Sequence, residues 1–467
     1  MNKKIMRAFA LVVVLAMSVA ALTGCGKKVN DKDEQGRTII SVGGYPSKEG
    51  NDRNSWDETI AKFEKENTDV VIKPDTWTYD LKSFYAKAEG GQLPNVFSTA
   101  YTEISAVIDG GYAADLTEGM KKYGYDEKLN PQIRELMTRD GKVYGMPSGA
   151  YVLGLSYNVE MFEAAGLMND DGTPKQPKTW DEVVEFAVKI KEATGKPGLV
   201  LPTSSKFGGW MFTPIAWSFG VDFMEQNEDG SWKATFDSPE AVAALQWFKD
   251  LKWKYDVLPS NSLIDGTEYY KIYATGGAAM MTAAAGGVEQ VSAYDMPTTI
   301  QGAMAYPAGP KRHVTLLGGT AYYGSRESTK DQIDAILRWR GAPSAGELNE
   351  MTKKSVDDAL NRAKENGWMI GVNSMSIWSN DSDLVKYQWQ LNLDNTNTGN
   401  INHVKLYNDF VANCPADIQA EEPVCAQALY EILDRCLQKV LTDENADCAE
   451  IIKDAARDFQ TDYLDNL

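Results

Sequence analysis

The sequence predicts an α/β protein of two lobes joined by extended hinge crossings, with a helical C-terminal part. Three observations carry this prediction. Strand and helix signals alternate as βαβαβ from Thr38 to Gly111, the order of an open, mostly parallel sheet. The stretch Lys142 to Asn158 is one extended run in which Val143, Tyr144, Tyr151, Val152 and Tyr157 favour strand, while Pro147, Ser148 and Gly149 break the ladder midway, where the chain can bend. A strand, bulge and strand within one sheet is the alternative for that run. Finally, 467 residues of which 43% are hydrophobic provide core for roughly two to three domains.

The N-terminus carries the most specific local signal. Lys3, Lys4 and Arg7 form a basic region, and the apolar run Ala8 to Ala21 is too short to span a bilayer as a mature helix, so residues 1–24 read as a signal peptide. Leu22-Thr23-Gly24-Cys25 resembles the bacterial lipobox, in which Cys25 receives a diacylglycerol and becomes the new N-terminus. Two or more acyl chains give stable anchoring. A plain secreted protein cleaved nearby is the alternative. Residues 25–37 are polar and charged, as in a flexible tether. A net charge of −19 and a pI near 4.7 oppose nucleic acid and anionic lipid, so membrane contact is expected through the lipid anchor only.

Along the chain, Thr38 to Val42 is a first strand, and Gly43 to Asp52 the loop leaving its carboxyl end. Ser55 to Glu58 has capping-box spacing, with Trp56, Ile60 and Phe63 on one helical face. Val70 to Ile72 is a strand, Leu81 to Ala88 a helix, Asn95 to Ser98 a third strand, and a further helix ends at Gly110-Gly111. Ligands of open α/β sheets sit beyond the carboxyl ends of the strands, which picks out Tyr45 to Asp52 and Thr99 to Glu103 as rim loops. After the hinge, a short helix closes at Gly166. Thr179 and Glu182 then open a helix that ends at Gly195, and Leu199 to Leu201 is a strand. A small-residue loop from Pro202 delivers Trp210 into another helix, and Ser238-Pro239 starts a long helix toward Trp253. Tyr269 to Ala274 is helical, Gly276 to Thr282 leads into a strand, and Ala303 to Pro307 reads as a second extended crossing. Val314 to Tyr323 is a strand and Asp331 to Arg340 a helix; Val424 to Leu441 and Ala446 to Tyr463 close the chain as helices.

Catalytic chemistry has little material. The only histidines are His313 and His403, and there is no Gly-x-Ser-x-Gly, His-Glu-x-x-His or Gly-x-x-x-x-Gly-Lys pattern. The near-match to a calcium loop at Glu225, Asn227 and Asp229 has Phe236 where an acidic ligand is needed. Paired carboxylates among 66 acidic residues keep one enzymatic alternative open, a surface-anchored glycoside hydrolase or lyase. No cofactor and no metal are expected.

The order of parts resembles the extracellular solute-binding lipoprotein of a carbohydrate ABC importer, in the group similar to maltose-binding proteins. The resemblance rests on the lipobox, Phe63 to Asn67, Gly141 to Pro147 with Leu155 to Asn158, Pro177 to Glu182, Gly276 to Met281 and Ala455 to Gln460. It implies a two-lobe periplasmic-binding-protein-like fold: an N-terminal lobe of 38–148 and 306–344, a C-terminal lobe of 149–305 and 345–467, and a sugar held between them. It also implies a bacterial protein on the outer face of the cell membrane, a monomer working with membrane permease subunits and an ATPase, and no enzymatic activity. A pyranose stacks its C–H faces on aromatic rings and its hydroxyls want fixed polar partners. The candidates are Tyr45, Tyr101, Tyr151, Trp210, Tyr322 and Trp378, with Glu49, Asp52, Glu103 and Asn373 as polar partners. Trp217 is expected in the core. Relatives often carry a tryptophan shortly after the Gly-x-Ala-Ala-Met segment, whereas this chain reads Ala283-Ala-Ala-Gly-Gly-Val288. Trp368 or Trp378 would have to replace it, unless a larger ligand leaves that wall open.

Cys414, Cys425, Cys436 and Cys448 remain once Cys25 is set aside, an even number that suits an oxidising compartment. On one helix Cys425 and Cys436 would lie roughly 16 Å apart, far beyond bridging distance. Cys414–Cys425 across a proline-containing loop and Cys436–Cys448 across a helix pair are therefore the expected bridges, against the alternative of free buried thiols.

Overall fold

The computed structural model describes residues 31–342 and 345–467. The expected signal peptide, Cys25 and the first part of the tether lie outside the described residues. Residues 31–37 are tied to the fold rather than extended from it: Asp33 caps a turn through Arg37, and Lys32 reaches Asp331 at 2.6 Å.

The fold is mixed α/β in two lobes. Its strands are β1 (Thr38–Val42), β2 (Val70–Pro74), β3 (Val96–Ala100), β4 (Thr138–Arg139), β5 (Lys142–Val143), β6 (Gly145–Asn158), β7 (Met224–Gln226), β8 (Trp232–Ala234), β9 (Met280–Ala284), β10 (Gln301–Met304), β11 (Val314–Gly324) and β12 (Asp417–Gln419). The main sheet runs β10-β6-β11-β3-β1-β2, with β9 also on β6 and β12 also on β11. β1, β2 and β3 are parallel, as the βαβαβ pattern predicts.

β6 and β11, the two longest strands, each change pairing partners along their length. The first half of β6 pairs with β11 from Gly145–Tyr323 to Val152–Leu317; its second half pairs with β9 and, from Leu155 onward, with β10. β11 in turn holds β3 through Thr320 to Gly324 and β12 through Val314 to Leu316. The register slips between Thr320 and Ala321, opposite Ser148, so the break read at Pro147-Ser148-Gly149 is a bulge in a continuous strand. The run expected as a second crossing, Ala303 to Pro307, instead begins in β10, lying antiparallel on β6. β11 runs beside β6 as a second long extended strand. Its Gly318-Gly319 pair, which weakens a strand reading, is required by close approach. A Cβ on Gly318 would lie 2.2 Å from the Tyr151 ring, and one on Gly319 2.2 Å from the Gly149 carbonyl oxygen.

Helix caps explain most helix starts. Asp80, Thr179, Ser238 and Asp265 each accept from a first-turn backbone N–H, and Thr329 and Gln332 form a reciprocal capping box. The first helix begins at Asn51, directly after Gly50, rather than at Ser55. It lays Trp56, Ile60 and Phe63 against the sheet and Trp339, with Phe63 and Trp339 edge-to-face at 5.1 Å. Leu199 to Leu201 makes a single bridge to Met280 instead of a strand. The helices Glu350–Glu365, Asp383–Asp394 and Asn402–Asn413, together with β12, fill a stretch the sequence reading left unassigned. One apolar cluster is continuous through both lobes, and each fully buried side chain in it, such as Leu153 or Phe162, contributes about 1.5–3 kcal/mol.

The four late cysteines are free thiols, so neither expected bridge is formed. Three of them have distinct surroundings. Cys414 directs its Sγ to the Ala416 carbonyl and Cys448 its Sγ to the Gln246 side chain, while Cys436 is buried in the apolar core between packed helices.

Candidate functional site

A cavity of about 390 Å³ opens at the carboxyl ends of β1 and β3. It is lined on one side by Gly43-Gly44, Trp77 to Tyr79 and Ser98 to Glu103, and on the other by Gln427 of the helix Ala426–Thr442. Thr320, at the β11 bulge, belongs to the same lining, so the cavity adjoins the hinge. None of its lining residues is Lys or Arg.

Glu103 is a lining carboxylate on the first side, and Glu421 lies beside the second without lining the cavity. On the first, Tyr79 donates its hydroxyl to Glu103 Oε2 at 2.7 Å. Burial pushes the Glu103 carboxyl upward, and the tyrosine bond opposes that shift. On the second, Glu421 accepts from Tyr430 Oη at 2.7 Å and from the Trp210 indole Nε1 at 3.1 Å. The Thr102 hydroxyl, from the first side, also lies against Glu421. Burial raises Glu421 as well, relieved by Tyr430, Trp210 and Thr102, while the Glu103 charge adds to the rise. The result is a polar seam between lobes with a carboxylate on each bank.

Trp210 is positioned from the backbone up. The helix Phe207–Phe219 starts after two non-glycine residues in left-handed conformation, Ser205 (φ 61°) and Lys206 (φ 66°). Asp434 caps it from across the lobe, accepting from the backbone N–H of Gly209 at 2.7 Å and of Lys206. Gly208 and Gly209 let this helix touch the helix Ala426–Thr442: a Cβ on Gly209 would lie 2.2 Å from the Tyr430 carbonyl oxygen. Trp210 stacks on Phe207 at 5.3 Å, and Phe207 meets Tyr270 at 6.2 Å, giving an aromatic wall beside Glu421. Tyr151, its phenol pushed upward by burial and further by the Glu421 charge, reaches the same neighbourhood from β6.



The sequence-expected residues divide into three groups. Glu103, Tyr151 and Trp210 gather at the interlobe seam. Tyr45 is engaged at the start of the first helix: its hydroxyl donates to Asp57 at 2.7 Å, accepts from Arg53 Nε at 2.9 Å, and its ring meets Trp56 edge-on. Glu49 and Asp52 are exposed beside it. Tyr101 is buried with its ring against Gly319, packing the hinge. Tyr322 lies beneath the Arg340 guanidinium, Trp378 edge-on to Tyr125, and Asn373 is buried among Asn392 and Asn408, and none of the three is in the cavity lining. Trp217 is core, as expected, with its indole on Glu422 at 2.8 Å. Sequence reasoning missed Tyr79, Glu421, Gln427 and Tyr430. The adjacent acids Glu421-Glu422 before Pro423 were the available clue.

Comparison with known proteins gives one consistent relationship. The profile of the family described as bacterial extracellular solute-binding protein matches residues 48–343. YcjN of Escherichia coli K12, named as a periplasmic-binding protein of an ABC transporter, is 26% identical over 275 residues, covering 56% of this chain and 59% of its own length, which is less than two thirds. The sn-glycerol-3-phosphate-binding periplasmic protein UgpB of the same strain is 23% identical over 319 residues, covering 65% of this chain and 70% of its own. Among solved structures, the cyclic alpha-maltosyl-1,6-maltose binding protein of Arthrobacter globiformis superposes with a TM-score of 0.64 at 23% identity, over 92% of this chain and 100% of that one. Among the described residues, no helix is long and apolar enough to cross a membrane.

Proposed function

This chain belongs to the bacterial extracellular solute-binding protein family, and we propose that it is the capturing lipoprotein of a carbohydrate ABC importer, closing two lobes on an oligosaccharide and presenting it to a membrane permease. The observation that carries the reading is the seam itself: Tyr79–Glu103 on one bank, Trp210–Glu421–Tyr430 on the other, with Thr102 touching across. Aromatic faces beside fixed carboxylates suit the C–H faces and hydroxyls of sugar rings. The sugar of the Arthrobacter protein's name supports the same class. UgpB's name points instead to a phosphorylated ligand, and a lining with Glu103 and no Lys or Arg opposes a phosphate.

The remaining parts follow from this reading. Cys25 carries the lipid that holds the protein to the outer face of the cell membrane, and the protein acts as a monomer with permease subunits and an ATPase. The first lobe takes 38–148 and returns through β11, whose pairing with β3 favours a return near Thr320 over one at residue 306. Ligand contacts from both lobes shift an open population toward closed.

A thermal-shift screen of mono- and oligosaccharides, followed by small-angle scattering with the most stabilising sugar, tests the proposal. The radius of gyration should fall at saturation and the sugar should be recovered uncleaved. An unchanged radius removes the closing mechanism; cleavage products would make the protein a carbohydrate-active enzyme. Mass spectrometry of the N-terminal peptide from membranes tests the anchor, and an unmodified Cys25 removes it.

A further inference from the structure

In a chain of net charge −19, one partly buried guanidinium has no carboxylate within ion-pair distance among the described residues. Arg340 follows the helix Lys330–Trp339 and lies face-on over Tyr322, its Cζ 3.4 Å from the ring centroid. Its Nε is buried with no acceptor among the described residues. The ionisable groups facing it are the phenols of Tyr322 and Tyr125, and burial lowers its affinity for the proton. A guanidinium stays charged in proteins, so this site cannot relieve itself by deprotonation. The stack on Tyr322 offsets part of the desolvation, but a buried cation without a counter-charge remains a costly arrangement.

Arg340 lines a cavity of about 580 Å³, within the range of small-molecule sites. The helix Glu350–Glu365 forms one wall and buries none of its own residues. Its Val356 and Leu360, one helical turn apart, line the cavity, as do Leu384 and Leu391 of the helix Asp383–Asp394. Arg340 is the one charged residue in this lining. A largely apolar chamber, with Thr352, Ser355, Gln388 and Asn392 as its neutral polar lining and a single uncompensated cation, lacks one thing, an anion with an apolar body.

We propose that this cavity is a second ligand site, separate from the interlobe seam, which takes a monocarboxylate with an apolar tail, of the medium-chain fatty acid class, its carboxylate paired with Arg340. A single guanidinium matches one carboxylate in a two-bond fork, and a phosphate dianion would leave excess negative charge in an apolar chamber.

The test is calorimetry on the purified full chain with sodium decanoate below its micellar concentration, beside decanol and inorganic phosphate. Decanoate should bind at one site, with decanol and phosphate at least tenfold weaker. Arg340→Met, which removes the charge and keeps the stem, and Leu360→Trp, which fills the chamber, should each weaken decanoate at least tenfold. Trp210→Ala should leave decanoate affinity unchanged. The site is overturned if decanoate fails to bind, if Arg340→Met binds it as tightly as the parent, or if Trp210→Ala abolishes binding, which would put decanoate in the seam. Should Arg340→Met melt far below the parent, Leu360→Trp decides: undiminished decanoate binding there makes Arg340 a structural cation and removes the site.

Discussion

Trp210 and Glu421, 211 positions apart in sequence, meet at 3.1 Å through the indole N–H and a carboxylate oxygen, and the other carboxylate oxygen takes the Tyr430 hydroxyl. The pair joins the aromatic wall to the buried acid, so the loss of either partner is felt by the other. Replacing Trp210 with alanine removes a stacking face and one donor to Glu421. Sugar binding should weaken by about 1 kcal/mol or more, measured by titration calorimetry with the most stabilising sugar, while the fold persists. Undiminished affinity with a collapsed melting temperature would make Trp210 a core residue instead.

Glu422, the next residue, sets a pH dependence. Burial, opposed by the Trp217 indole bond, pushes its carboxyl up from 4.5 to about 7. Between those values the folded state keeps a proton that the unfolded state has lost, so stability falls as pH rises from near 4.5 through 7. The difference of about 2.5 pH units corresponds to a loss on the order of 3 kcal/mol, complete above pH 7. Glu422→Gln keeps an acceptor for Trp217 and should flatten this part of the profile. Urea unfolding of parent and variant at pH 5, 6, 7 and 8 measures it; parallel profiles would show that Glu422 titrates normally.

The elements legible in the sequence were those announced by local chemistry. Caps at Thr179 and Ser238 and the alternation of strand and helix signals from Thr38 are local, and the structure has them. What stayed hidden depends on distant partners. Val314 to Tyr323 reads as a strand, but the close approach of Gly318-Gly319 to Tyr151 and the Gly149 carbonyl appears only in the fold. Within the site, Trp210 was marked by the glycines before it, whereas Glu421 is one acid among many until folding buries it beside Thr102 and Tyr430. The cysteine spacing allowed bridges, whereas the four thiols are free in the fold.

Gly209 and Gly266 should respond oppositely to alanine. A Cβ on Gly209 meets the Tyr430 backbone at 2.2 Å, where neither helix can yield without moving the other, so Gly209→Ala should cost about 1–3 kcal/mol and weaken sugar binding by displacing Trp210. At Gly266 the nearest atom is a Phe207 ring carbon at 3.5 Å, an ordinary contact, and the helical position should gain about 0.5–1 kcal/mol from alanine. Chemical unfolding of both variants checks the pair, and equal effects would remove the argument from close approach.

The thiols give a direct chemical readout. Cys436 is buried, and desolvation pushes its thiol up to about 12, so it should be unreactive toward a thiol reagent in the native protein. After unfolding without reductant, Cys414, Cys425, Cys436 and Cys448 should all alkylate. A tryptic peptide linking Cys436 to Cys448, or Cys414 to Cys425, would restore the bridges.

The hinge bulge is the last point at which structure and proposed motion can be tested together. Ser148 Oγ lies 2.8 Å from Thr320 Oγ1 where the register of β6 and β11 slips, so the two side chains face each other at a break in the ladder connecting the lobes. Strand pairs on either side are held by backbone hydrogen bonds; the bulge is where φ and ψ can change without breaking any of them. If closure turns about this point, the separation of residues 148 and 320 must change with it. A disulfide between cysteines replacing Ser148 and Thr320 suits side-chain atoms already this close, and would hold the separation constant. In the oxidised double variant, scattering should give the same radius of gyration with and without sugar, and reduction should restore the ligand-induced decrease. Closure that persists in the oxidised protein would move the hinge elsewhere along β6 and β11.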